Sequence, residues 1–183
     1  MRPHFIEQGD VRHFIHAGEC QQPRLLEQET ARGTEWRVTL VPGTNVGEAL
    51  GTLLATADFS SGVGRLLSGG ASHLAYHRMV VTQSLEKPFD YGAPIVLDGY
   101  ITFISGALTI GRDATGTVLL HCHAGFIDRD GVQHGGHLVL NRLVVGGTPL
   151  TLTLCLFQRV RYEVTPDSET LFNLLHPVIQ EAS

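Results

Sequence analysis

The sequence predicts an α+β domain dominated by antiparallel strand pairing. Short runs rich in Val, Ile, Leu and Thr alternate with Gly-, Pro- and Asp-containing turns along most of the chain. Most of these turns are too short for parallel crossovers, which need a dozen or more residues. Helical signatures occur at only two places. The expected inventory is therefore about seven or eight strands and two flanking helices.

The elements follow in order. Residues 1–34 are polar and irregular, and His4, His13 and His16 are spread through them. They read as an N-terminal extension (1–35) packed on a domain spanning 36–183, with solvent-exposed histidines. Arg24-Leu25-Leu26-Glu27-Gln28 reads as a short strand or turn. Glu35 to Val41 alternates and stops at Pro42-Gly43, which makes a strand and a turn. Thr44 or Asn45 then caps a helix to about Ala57. Its buried stripe is Val46, Leu50, Leu53, Leu54 and Ala57, and Glu48 stands three after Asn45 as a capping residue does. Gly62 to Leu67 is a short strand, followed by the tight turn Ser68-Gly69-Gly70-Ala71-Ser72. His73 to Val81 is another strand, with Tyr76 and Arg78 facing away from His77.

Lys87 to Pro94 is a loop. Ile95 to Ile110 gives one long or two short strands, interrupted by Gly99 and Ser105-Gly106. Arg112 to Gly116 is a hairpin turn, and a histidine-bearing hairpin occupies Thr117 to Val145. Gly146-Gly147-Thr148-Pro149 turns into a strand from Leu150 to Val160. Thr165-Pro166 reads as an N-cap with proline at the first helical position. A closing helix is expected from Asp167 to about Leu175, ended by Pro177.

Composition narrows the function. A chain of 183 residues with 43% hydrophobic and 17% charged residues can bury a real core as one domain. The net charge is −5, Lys87 is the sole lysine, and the arginines are scattered. No basic run is long enough for a phosphate-binding stripe, which argues against strong autonomous DNA binding. Cys20, Cys122 and Cys155 are odd in number and widely spaced. They read as free thiols in a reducing compartment, hence a cytoplasmic protein. No apolar run approaches the roughly 18 residues of a membrane span.

The chemistry concentrates in Leu120-His121-Cys122-His123 … Asp130-Gly131 … Gly135-Gly136-His137-Leu138. His121 and His123 are two apart on a strand and so share a face. Arg129-Asp130-Gly131 makes a three-residue hairpin loop with Gly131 left-handed. In that register His123 lies opposite His137 and His121 is a diagonal neighbour. Such neighbours are about 5–8 Å apart, close enough to converge on one ion. Three histidines with an open fourth position describe a catalytic-type zinc site. His134 and Cys122 fall on the other face. A metal-free histidine cluster is the competing reading.

These residues resemble the plants-and-prokaryotes-conserved (PPC) domain in its stand-alone bacterial form. Four segments in order carry the resemblance: Arg37-Val38-Thr39-Leu40-Val41-Pro42-Gly43, Leu66-Leu67-Ser68-Gly69-Gly70-Ala71, His121-Cys122-His123-Ala124, and Asp130-Gly131 followed by Gly135-Gly136-His137. It covers about residues 36 to 160. The resemblance implies a strongly bent, mainly antiparallel sheet and a homotrimer. It also implies that His121, His123 and His137 ligate a divalent metal, zinc by preference, near a subunit boundary. Plant members pair the domain with an AT-hook, and here Arg32-Gly33 is not followed by Arg-Pro.

Two functions are expected. One is a DNA-associated or regulatory metal-binding trimer. The other is a metal-dependent enzyme hydrolysing or hydrating a small anionic substrate at a subunit interface. Arg142, Arg159 and Arg161 would orient the substrate, and Asp98, Asp128 and Glu163 are the acids to test as base or ligand support.

Overall fold

The computed structural model describes residues 4–16, 18–20, 22, 33–84, 87–113 and 115–178. The strand-or-turn expectation at 24–28 lies outside them. The described elements are β1 (His4–Gln8), β2 (Val11–Ile15), β3 (Gly33–Leu40), α1 (Val46–Ala55), β4 (Ser61–Ser68), β5 (Gly70–His77), β6 (Met79–Val81), β7 (Phe89–Tyr91), β8 (Ile95–Arg112), β9 (Val118–Ile127), β10 (Gln133–Leu138), β11 (Val144–Val145), β12 (Leu150–Phe157), β13 (Arg161–Pro166) and β14 (Asn173–Val178). A 3-10 turn, Leu140–Arg142, links β10 to β11.

One ten-stranded, almost wholly antiparallel sheet holds most of these strands, in the order β11-β5-β10-β9-β8-β4-β12-β3, with β13 and β14 attached at β8. The 18-residue strand β8 organises it. The first part of β8 pairs with β5, and the rest lies between β4 and β9. Gly99, at φ 106, lies at the register shift between Ala71 and His73 in the β5–β8 ladder, in a conformation that a residue with a Cβ rarely adopts. A register shift between Phe103 and Ser105 adds a bulge, which bends a strand further. The bend closes β5, β10, β9 and β8 into a ring.

The inner face of the sheet is strictly alternating. In β12, Leu150, Leu152, Leu154 and Leu156 are buried while the residues between them are half-exposed. Val46, Leu50 and Leu54 of α1 pack into the same core as Ile110, Cys122 and Phe126. Asn45 ties α1 in place at both ends of its amide. Its Oδ1 accepts from the Glu48 backbone N–H at 3.2 Å, and its Nδ2 donates to the Asn141 carbonyl at 2.9 Å. The helix start read from the sequence is therefore also a clamp on the segment after β10.

Several expectations need correction. Fourteen strands are described where seven or eight were expected, and the loop expected from Lys87 to Pro94 contains β7, which pairs with β6. Residues 4–15, expected to be irregular, are paired strands: β1 and β2 form a hairpin turned at Gly9, with φ 63. The closing helix does not form, so α1 is the one α-helix among the described residues. Pro166 ends β13 instead of starting a helix, and Asn173–Val178 pairs back on β13 in register Pro166↔Asn173. The capping signal was real but lasts one turn. Asp167 accepts from the backbone N–H of Thr170 at 2.7 Å, and Leu171 N–H bonds to the Asp167 carbonyl. Leu171 then takes φ 63 and reverses the chain. The six residues from Asp167 to Phe172 therefore make a hairpin loop, and Leu175 goes to a sheet strand.

Replacing Asn45 by Ala removes a cap and a tether together. The expected loss is about 1–2 kcal/mol, read as a shift of the urea midpoint. An Asn45→Ser variant, which keeps only the cap, should recover part of it.

Candidate metal centre

Strand pairing alone brings the histidines together. His123 on β9 is directly opposite His137 on β10, and His137 is opposite His77 on β5. The same line crosses the sheet through Ala107, Arg65, Thr153 and Arg37, each the direct cross-strand partner of the one before. Seven side chains from seven strands therefore stand in one row on the outer face. His121 is in the next row, opposite Thr109. The hairpin loop has the expected form: Gly131 is left-handed at φ 79 and its N–H bonds to the Asp128 carbonyl at 3.1 Å.

The Gly-Gly-His sequence has a steric reason. A Cβ on Gly136 would stand 2.2 Å from the His77 carbonyl oxygen and 3.0 Å from the Tyr76 ring. Only glycine lets β10 lie against β5 at this level, and that contact positions His137.

The candidate ligand atoms of His121, His123 and His137 all lie within 4.8 Å of one another. The Nε2 atoms of His121 and His123 are 3.0 Å apart. Two nitrogens on one tetrahedral zinc, each about 2.0–2.1 Å from it, stand about 3.3–3.4 Å apart, so this pair needs only a small opening. Nδ1 of His137 is buried with no hydrogen-bond partner. A buried ring nitrogen without a partner is costly, and a metal ion is one partner that would satisfy it. The donor set and its spacing thus fit a divalent metal.

The electrostatics agree with ligation. Burial, reinforced by the neighbouring His121, His123 and His77, pushes the His137 pKa down to about 4. Burial also lowers His121, with His123 adding to it, and burial lowers His123. All three are held toward the neutral form, which is the form that binds metal.

His77 flanks the trio. Its Nδ1–H donates to the Gly92 carbonyl at 2.8 Å, which leaves Nε2 with its lone pair. The Tyr91 ring packs edge-on to His77 and tilted against His137, with centroids 5.8 and 5.2 Å away. The sequence reading did not single out His77 as a neighbour of the trio. Its parity on β5 was legible, but the β5–β10 register was not.

His134 and Cys122 point inward as parity requires. His134 Nε2 and the Asp128 carboxylate are 2.8 Å apart, and the Tyr76 hydroxyl meets His134 Nδ1 at 3.0 Å. With the Nε2 proton donated to Asp128, Nδ1 is free to accept from Tyr76. The hydrogen bond from His134 and those from the Val132 and Asp130 backbone hold the Asp128 pKa below the usual carboxylate range. Cys122 is 1% exposed, and burial raises its thiol to about 12, so it is inert.

The remaining candidates are placed apart. Asp98 bonds to His73 at 2.7 Å, and Glu163 pairs with Arg161. Arg142 is exposed on the 3-10 turn, and Arg159 is exposed after β12. None of Arg142, Arg159 and Arg161 lines the hollow beside His123, whereas Arg65 does.

No protein-family model matches the chain, and no curated protein matches it in sequence. Solved structures do. A plant- and prokaryote-conserved protein from Pyrococcus horikoshii matches at TM-score 0.66 and 15% identity, covering 85% of this chain and 100% of that one. A candidate DNA-binding protein from Ralstonia eutropha JMP134 matches at TM-score 0.61 and 20% identity, over 76% and 89% of the two chains. A metal-containing protein from Archaeoglobus fulgidus matches at TM-score 0.63 and 16% identity, over 84% and 99%. The chain is a PPC-like domain in fold.

Two outcomes are expected. With metal removed, the unfolded chain protonates position 137 near pH 6.5, while folded His137 resists until about pH 4. Its depressed pKa therefore costs nothing above 6.5, and stability falls as pH drops from 6.5 to about 4. Urea midpoints in chelator should decline across that window, and less steeply for His137→Leu. Gly136→Ala should cost about 1–3 kcal/mol through overpacking and weaken metal binding, measured by chelator competition.

Proposed function

We propose that this protein is a homotrimeric, divalent-metal-binding PPC-fold protein with His121, His123 and His137 as the ligands. The convergence of three neutral histidines from one hairpin carries the reading. Zinc is the best-matched ion, since imidazole ligands and a four-coordinate site with one open position suit it. The fold likeness to the metal-containing archaeal protein supports the metal.

Tyr100 and Ile104 are large apolar residues exposed on β8. They support self-association through the sheet, because such residues are usually covered in obligate oligomers. The separate β1–β2 sheet supports a boundary between an N-terminal extension (1–35) and the domain (36–183). The three cysteines, none of them in a disulfide, support a reducing, cytoplasmic setting. Among the described residues no helix is long and apolar enough to cross a membrane.

Bound at three histidines, a divalent ion supplies a Lewis acid and lowers the pKa of a coordinated water toward 7. The chain's own contribution is to hold the rings neutral and oriented and to keep one side open. This favours a small-molecule role, hydrolysis or hydration, over a purely structural ion. A DNA-associated role is the second reading, supported by the fold likeness to candidate DNA-binding proteins. Arg142, Arg159 and Arg161 are kept as contacts for parts of a ligand that extend beyond the hollow.

Elemental analysis of untagged protein should find about one zinc or similar ion per chain, absent from His121→Ala/His123→Ala. No metal in the wild type would refute the site. Sedimentation should give a trimer mass. If DNA binds directly, its affinity should fall steeply with salt, since each phosphate contact releases counterions. No gel shift at low salt would remove that reading.

A further inference from the structure

We propose that Arg65 is the anion anchor of the metal centre, so that the site takes a small carboxylate or phosphate with one oxygen at the metal and others on the guanidinium. This rests on the metal reading above and adds the ligand class and the residue that selects it.

The row across the sheet makes the case. Arg65 and His123 are both direct cross-strand partners of Ala107, one on each side. Adjacent strands are about 4.8 Å apart, so the two backbones are separated by about 10 Å. Only a methyl group stands between them. An extended arginine is longer than one strand spacing, so its guanidinium can come over Ala107 toward His123.

The space is already there. A hollow of about 560 Å³ is lined by Arg65, Leu67, Ser105, Ala107, His123 and Gly125, among others. Apart from Leu66 and Leu67 its lining between Arg65 and His123 is of small residues, and those two are an arginine and a candidate metal ligand. That volume falls within the range of small-molecule sites.

Arg65 is exposed and makes no ion pair among the described residues. Arg37 lies further along the same row, beyond Thr153. Glu35 shares the adjoining hollow with both arginines without pairing to either at ion-pair distance. A guanidinium presents a planar fork of N–H groups that matches two oxygens of a carboxylate or phosphate. The metal would bind a third oxygen, or the second carboxylate of a diacid. Charge, reach and an open floor thus point to one ligand type.

The test is calorimetric titration of inorganic phosphate into metal-loaded wild type, metal-free wild type, Arg65→Ala and Arg65→Lys, with metal content measured on every sample. Expected are binding by the loaded wild type, a loss of tenfold or more in Arg65→Ala at unchanged metal content, partial retention in Arg65→Lys, and loss on removing the metal. Equal phosphate affinity in Arg65→Ala and wild type would overturn the proposal and leave the metal site intact. So would absence of binding to the loaded wild type. A wild type that takes up no metal would overturn both readings, and the metal measurement makes that case distinct.

Discussion

The close approach of β10 to β5 at Gly136 is the constraint on which the site depends. A side chain there would collide with the His77 carbonyl, so the strands could not pair at that level. That pairing completes the ring of β5, β10, β9 and β8. It also fixes His137 opposite His123 on one side and His77 on the other. Three rings then crowd together, with centroids 4.6, 4.8 and 5.3 Å apart. The crowding removes water and disfavours protonation, which produces the neutral ligands that a metal needs.

The hairpin is held rigid from behind. The Tyr76–His134–Asp128 chain of hydrogen bonds lies on the inner face and joins the core to the β9–β10 loop. Asp128 is also the residue whose carboxylate receives the loop N–H groups of Asp130 and Val132, each at 2.9 Å. The His134 ring stacks on Phe126, which itself meets Tyr76 edge-on. One face of the hairpin is therefore a satisfied polar network in an aromatic core, and the other carries the open histidines. Period-two alternation assigns neighbouring residues to these different tasks.

Much of this was legible in the sequence. The alternation of β12, the cap at Asn45, the left-handed Gly131 and the pairing of His123 with His137 follow from local rules of strand, cap and turn. The closing helix failed because Thr165-Pro166 and Asp167 carry the same cap chemistry that closes a hairpin loop. What decides between them is the β13 edge offered to Asn173–Val178, a tertiary contact. The same limit applies to the site. His77 and Arg65 lie 44 and 56 residues before His121, and a long bent strand brings them into the row of the histidine hairpin. No local pattern encodes that register. Arg142, Arg159 and Arg161, the arginines named from the sequence, lie outside that row.

The row also bears on what kind of anion the protein can hold. The chain as a whole is at −5, and its basic residues are dispersed. A long polyanion would sample that whole surface and meet net repulsion from a single chain. A small anion in the hollow samples only its walls, because charges more than about 10 Å away are largely screened at 0.1 M salt. Its walls hold Arg65 and the candidate metal ligand His123, and no carboxylate. Burial of His137 and the lack of an ion pair on Arg65 among the described residues thus act together: one disfavours protonation of a candidate ligand, the other leaves a cation without a carboxylate partner there. A site of that kind discriminates by size and local charge, which is the requirement for selecting a small carboxylate or phosphate on an acidic protein.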